Sequence, residues 1–259
     1  MKKTLKKHFP NFYNKLSKVK QDRILKKLKR VYPNTNFFPT EEAIKLYSQH
    51  NQDYIIYNNF FKEKKDGVFF DVGGNHPLNI NNTRYFEEIG WNGYVFEPLP
   101  SMQPLWEKHR KAKFFPLGAS DKADELTFSV VKNVTGWEDM LSFVKKTRDK
   151  TYAGHETEDI IIKVVPLRDV LKKENIVHID YMSIDVEGHE LNVVKGIDFN
   201  EVKISVLTIE NAPPGSTGYG DDNIRKLMFK NDYILWGRII DLDDIYVHKD
   251  FLNTLEFTS

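Results

Sequence analysis

Phe69-Phe70-Asp71-Val72-Gly73-Gly74-Asn75-His76-Pro77 is the stretch that decides how this chain folds. An apolar run ends in a carboxylate, and two glycines follow, where the backbone can turn tightly and approach a ligand that a side chain would block. Working outward, Val95-Phe96-Glu97-Pro98 repeats the device: a second apolar run ends in an acid, 26 positions after Asp71. An acid at about that interval accepts hydrogen bonds from ribose hydroxyls in sheets of this kind. The glycine pattern is not the longer G-x-G-x-x-G fingerprint, which argues against a nicotinamide-dependent oxidoreductase.

Short β-rich runs continue in alternation with helix-like stretches. Strands are expected at 68–71, 94–97, 113–115, 182–185, 206–210, 233–236 and 245–247, and helices at 83–89, 101–110, 167–174, 189–196 and 222–230. That alternation specifies a mostly parallel sheet with helices on both faces. Residues from Leu126 to Val165 break the rhythm with two extra strands around a polar stretch that contains Trp137, Lys145, Lys146 and His155. Irregular segments of this length in compact domains often form substrate loops, so acceptor contacts are sought there.

Three further segments carry candidate chemistry. Leu117-Gly118-Ala119-Ser120-Asp121 follows the third strand and offers polar contacts to a heterocycle, or a turn. Tyr181-Met182-Ser183-Ile184-Asp185-Val186-Glu187-Gly188-His189-Glu190 crowds three acids and a histidine at a strand end, where like charges repel unless a cation, proton or substrate sits among them. Ile209-Glu210-Asn211 closes the neighbouring apolar run with an acid and an amide. Asp185, Glu210 and Asn211 would place three oxygen ligands at adjacent strand ends, a set that suits Mg²⁺ or Mn²⁺. For a metal-free proton transfer His189 is the first candidate base and His76 the second.

Composition frames these motifs. At 259 residues, 40% hydrophobic and 13% aromatic, the chain suits one α/β domain with an arm, and its apolar runs are too short to span a bilayer. It has no cysteine, which removes disulfides, thiolate metal sites and a cysteine nucleophile, and is compatible with a reducing cytoplasm. A net charge of +1 gives no case for nucleic acid. The arm, residues 1–40, is different: residues 1–30 hold twelve Lys and Arg against Asp22 alone, with Leu5, Phe9, Phe12, Leu16, Val19, Leu25 and Leu28 at roughly helical spacing, interrupted near Pro10. Such a segment packs on the domain by its apolar side, or meets anionic lipid at a membrane surface or an acidic partner. It lacks the apolar core and cleavage site of a secretory leader. A helix is expected over 41–47, and the domain proper over 41–259.

These motifs in this order resemble the FkbM-type methyltransferases. The resemblance rests on Phe69 to Asn75, Asn82-Thr83, Gly90-Trp91-Asn92-Gly93-Tyr94-Val95-Phe96-Glu97-Pro98, Ile184 to Glu190 and Ile209-Glu210, with Ser48-Gln49 and Gln52-Asp53 before them and Asp243-Asp244-Ile245-Tyr246-Val247 after. It implies a class I (Rossmann-like) fold with a seven-stranded sheet whose last strand is antiparallel, S-adenosylmethionine (SAM) as cofactor, and methyl transfer to a hydroxyl of a sugar or other small polar acceptor. Phosphorylated, carboxyl and nitrogen acceptors stay open, as does a non-catalytic binding module on the same fold. By position it implies that Asp71, Gly73, Gly74, Asn75 and Thr83 belong to the cofactor site, that Glu97 holds the ribose, and that Ser120 and Asp121 flank the adenine. Asp185, Glu187, His189 and Glu190 would face the transferred methyl, Asp185 touching the cofactor as well. The metal alternative is similar to catechol-type O-methyltransferases. Pro77 stands where the family usually has glycine.

Overall fold

The computed structural model describes the backbone of residues 10–17 and, with side chains, residues 18–38, 47–132, 142–144, 156–211, 220–240 and 242–255. The helix expected over 41–47 and the residues Trp137, Lys145, Lys146 and His155 lie outside the described residues, apart from Tyr47.

Helix α1 (Pro10–Val31) is followed by strand β1 (Asn36–Phe38), α2 (Gln52–Phe60), β2 (Val68–Val72), α3 (Arg84–Glu88), β3 (Asn92–Phe96), α4 (Gln103–His109), β4 (Lys113–Phe115) and β5 (Gly118–Ala119). Then come β6 (Asp124–Val131), β7 (Phe143–Val144), β8 (Thr157–Val165), α5 (Leu167–Lys173), β9 (His178–Ile184), α6 (Glu190–Lys195), β10 (Lys203–Glu210), α7 (Asp222–Lys230), β11 (Tyr233–Ile239), β12 (Asp243–His248) and α8 (Lys249–Leu252).

The main sheet runs β1-β11-β12-β10-β9-β2-β3-β4. All its ladders are parallel except the two made by β12, which is antiparallel to β10 and to β11. Its central strands are buried on both faces, as parallel strands covered by helices must be. Alternate residues divide the core. Phe69, Tyr181, Val206 and Ile245 meet Ile56, Phe86 and Trp106 of α2, α3 and α4. Phe70, Met182, Leu207 and Tyr246 meet Leu171, Val193 and Met228 of α5, α6 and α7.

The expectation of seven strands is corrected to eight. The added strand is β1, which pairs with β11 from Asn36↔Gly237 to Phe38↔Ile239. The arm supplies it because its helix is docked alongside: Ile24 and Leu28 of α1 bury against Ile240, and the Thr35 hydroxyl donates to the Leu235 carbonyl at 2.7 Å. Ile240 N–H then donates to the Phe38 carbonyl at 2.8 Å, and Phe38 stacks on Trp236, so the open edge of β11 is covered. The described part of α1 begins at Pro10.

The segment inserted after β4 forms a second sheet, β5-β8-β6-β7. Its backbone is the antiparallel β6/β8 pair, in register from Asp124↔Val164 to Val131↔Thr157. β5, which follows β4 closely in the chain, pairs in parallel with β8, Gly118 opposite Val164. Among the described residues no helix is long and apolar enough to cross a membrane.

Candidate functional site

A cavity of about 390 Å³ opens at the carboxyl ends of β2, β3, β9 and β10, the place where open α/β sheets bind ligands. The turn after β2 makes its floor. Gly73 and Gly74 N–H both donate to the Phe96 carbonyl, at 2.9 and 3.2 Å, which ties the turn to β3. Gly73 sits at φ +87°, and a Cβ there would stand 1.8 Å from the Asp185 carbonyl oxygen, so the turn is pressed against the end of β9.

Asp71 lines the cavity with its carboxylate fixed from behind. Its Oδ2 accepts from the Thr83 hydroxyl at 2.7 Å and from Asn81 Nδ2 at 3.1 Å. Arg110, itself buried, donates to Asn81 Oδ1 and to the Pro77 carbonyl, both at 3.0 Å, and pairs with Glu87 at 3.1 Å. Burial raises the Asp71 pKa, while Thr83, Arg110 and Asn81 oppose that rise. Thr83 therefore orients Asp71 and is not itself among the cavity-lining residues.

Glu97 also lines the cavity and organises both neighbouring loops. Its Oε2 accepts the Asn75 N–H at 2.9 Å and its Oε1 the Leu99 N–H at 2.8 Å. Its carboxylate is thereby fixed at the cavity's edge, between the turn after β2 and the loop after β3. Asn75 is held from the far side by Trp106, whose indole N–H donates to its carbonyl at 2.6 Å.

The strand ends of β9, β10 and β12 gather acids. Asp185, Glu187 and Glu210 line the cavity; Asp243 lies buried beside them, accepting from Gln52 Nε2 at 2.9 Å. Burial, then repulsion from the surrounding acids, Glu187 foremost for Asp185 and Asp185 for Glu210, pushes both well above the usual carboxylate range. Asp243 is pushed up to about 6, chiefly by burial, against the pull of Gln52 and Arg238. Glu190 does different work: its Oε1 accepts from Val186 and Gly188 N–H, at 3.1 and 2.9 Å. It braces the turn in which Glu187 (φ +55°) and Gly188 (φ +98°) are both left-handed, and it does not line the cavity.

His189 lines the cavity from the start of α6, with Nε2 3.0 Å from the Ser120 hydroxyl, which in turn donates to Asp121 at 3.1 Å. Ser120 and Asp121 stand behind the wall, whose surface here is Gly118 and Ala119. His76 caps its own turn, its Nδ1 accepting from Leu78 and Asn79 N–H, each at 3.1 Å.

The ligand set drawn for a metal does not hold together, and Asn211 is the correction. Its Nδ2 donates to Asp244 at 2.7 Å and its Oδ1 accepts from Asp221 N–H, so the amide is turned away into a buried network. Glu210, the last residue of β10, lines the cavity, and Asn211, the first residue past the strand, does not. Among the described residues no three His, Asp or Glu side chains are arranged to hold a metal ion.

Sequence reading missed Asn81 and Arg110, which fix Asp71, and the second sheet's contribution. Asn81 directly precedes Asn82-Thr83 and carried that signal; nothing in the sequence marked Arg110. Phe128, Val144, Ile162 and Val164 from β6, β7 and β8 form an apolar wall to the cavity, with Ser142 beside them.

A mixed α/β sheet with a cavity at its switch region and acids at successive strand ends places the protein in the open α/β class. Within that class, the model of the methyltransferase FkbM domain matches residues 71–235, from the Asp71 turn to β11. The chain belongs to the FkbM methyltransferase family. No curated protein matches it.

Proposed function

We propose that this protein is a SAM-dependent O-methyltransferase acting on a hydroxyl of a small polar acceptor, a sugar or nucleotide-linked sugar being the preferred class. The observation that carries the reading is that Asp71, Glu97, Asp185 and Glu210, from four different strand ends, face one cavity of about 390 Å³. Bound there, SAM would supply an electrophilic methyl group on a cationic sulfonium. The donor set fits it: Glu97 presents a carboxylate to the cavity for a vicinal diol, and Asp71 and the Gly73–Asn75 turn offer a carboxylate and close-approach backbone for an amino-acid end. The acids at 185, 187 and 210 would favour a cation.

Methyl transfer forms an acceptor O–CH₃ bond as the S–CH₃ bond breaks, the electron pair leaving with the thioether, and the acceptor's proton must go to the protein. Asp185 and Glu210 are placed to take it. Both line the cavity, and burial with repulsion from the surrounding acids raises both carboxyls well above their usual range, which makes each a stronger base. His189 is drawn toward Ser120, which favours a part in holding the ligand over a part in moving its proton.

The test is calorimetric titration with S-adenosylhomocysteine of the wild type, Glu97→Ala and Asp71→Asn, followed by mass detection of methylated products on a panel of sugar acceptors. Micromolar binding lost in both variants supports the reading. A well-folded wild type that binds nothing moves the protein to the non-catalytic binding module.

A further inference from the structure

One face of the second sheet lines the cavity, and its make-up is selective. Ile162 and Val164 alternate along β8, Ser142 and Val144 along the segment that enters β7, and Phe128 comes from β6 opposite Val144. Phe143, between Ser142 and Val144, is buried and off the cavity, as a strand's alternation requires. This face is apolar except for one group. The Ser142 hydroxyl is buried and has no hydrogen-bond partner among the described residues.

A buried hydroxyl left without a partner is costly, so its place on a ligand wall points to a ligand group that completes it. The chemistry of the wall narrows that group. A polyol acceptor needs several partners at once, which the strand-end acids and amides offer and this face does not. A flat heterocycle needs apolar contact over its faces and one or two bonds at its edge, which Phe128, Val144, Ile162, Val164 and a single hydroxyl supply. Pro98 and Leu99, the two residues after Glu97, line the same cavity, and Glu97 is the group read above as the ribose ligand.

We infer that Ser142 is a specificity contact to the purine of the bound nucleoside, seated against the apolar face of the second sheet. This rests on the SAM reading above and adds to it a residue outside the family's motifs. The second sheet then serves cofactor recognition, and the acceptor is left to the Asp185–Glu210 end of the cavity.

Four titrations on the full chain, two ligands on each of two proteins, separate the outcomes. S-adenosylhomocysteine and 5′-methylthioadenosine share the purine and ribose but not the amino-acid end. Ser142→Ala is expected to weaken both by the same factor, about 5- to 10-fold, the size of one hydrogen bond. Its ligand-free melting temperature should be unchanged or higher, because the hydroxyl has no protein partner to lose. Equal binding by wild type and Ser142→Ala overturns the inference while leaving the SAM reading intact. A loss confined to S-adenosylhomocysteine places the hydroxyl at the amino-acid end and overturns it too, as does a clear drop in ligand-free melting temperature. If the wild type binds neither ligand, the SAM reading itself has failed.

Discussion

His189 Nε2 stands 3.0 Å from the Ser120 hydroxyl, although family resemblance assigns the two residues to opposite ends of the cofactor. Burial lowers the His189 pKa, with Asp121 pulling weakly the other way, so the ring is neutral at neutral pH and free to exchange a hydrogen bond with serine. His189→Gln, which keeps a polar end of similar reach, is expected to raise the KM for SAM about 5-fold and leave kcat within about 2-fold, the pattern of lost uniform binding. Steady-state kinetics read this directly. A kcat lowered 100-fold or more with KM unchanged would restore the histidine to the role of base.

The acids of the cavity give the ligand-free protein an unusual pH dependence. Asp243 titrates near 6 when folded against an ordinary value of 3.8, and Asp185 and Glu210 are raised as well. A raised carboxyl contributes stability that is full below the unfolded pKa and lost as pH rises through the folded one. For Asp243 alone the span corresponds to about 3 kcal/mol. His189 acts oppositely, its lowered pKa costing stability as pH falls below about 6.5, but one histidine is outweighed by three carboxyls. Thermal melting of the free protein should therefore rise as pH is lowered from 8 to about 5. In Asp243→Asn the rise should shrink. A melting temperature that falls steadily over that interval would contradict the burial of these groups.

A related stability effect lies away from the cavity. Asp244 is buried and accepts from Arg225 Nε at 2.9 Å, Asn211 Nδ2 at 2.7 Å and the Tyr246 hydroxyl at 2.9 Å, and it pairs with Arg238. Removing one charge from such a set leaves the other charges uncompensated, at a cost of about 3–5 kcal/mol. Asp244→Asn should lower the melting temperature by roughly 10 °C, while S-adenosylhomocysteine affinity measured well below the melt stays within about 2-fold. Asn211→Ala should behave as a milder version of the same lesion, with no response to added Mg²⁺ or Mn²⁺. A metal-dependent gain in activity that Asn211→Ala abolishes would reinstate the amide as a ligand.

The same pair of residues, Glu210 and Asn211, shows where the sequence was legible and where it stopped. An apolar run ending in an acid gives both a strand and the side of the sheet on which the acid lies, which is why Asp71, Glu97, Asp185 and Glu210 were identified and do meet in one cavity. The run does not say which of two adjacent polar residues turns inward, because that depends on strand register. Thr83, Ser120, Asp121 and Glu190 belong to the same problem: each sits in the right motif and acts one layer behind the surface. β1 was invisible for another reason. Three residues, Asn36–Phe38, pair with a strand about 200 positions away, and only the docking of α1 brings them there.

Two glycines at positive φ separate backbone strain from the site. Gly73 (φ +87°) and Gly90 (φ +106°) would each impose a strained conformation on alanine, about 1–2 kcal/mol. Their surroundings differ. A Cβ at Gly90 meets only the Lys65 carbonyl, at 3.1 Å, whereas at Gly73 it would fall 1.8 Å from the Asp185 carbonyl, which must then move with the end of β9. Gly90→Ala should therefore lower the melting temperature by a few degrees and leave S-adenosylhomocysteine binding intact. Gly73→Ala should lower it further and reduce binding at least about 30-fold, because Asp71, Asp185 and the turn between them can no longer hold one geometry. Melting and titration on the two variants side by side decide the matter. Equal binding losses in both would mean that the turn's strain, and not its contact with β9, governs the site.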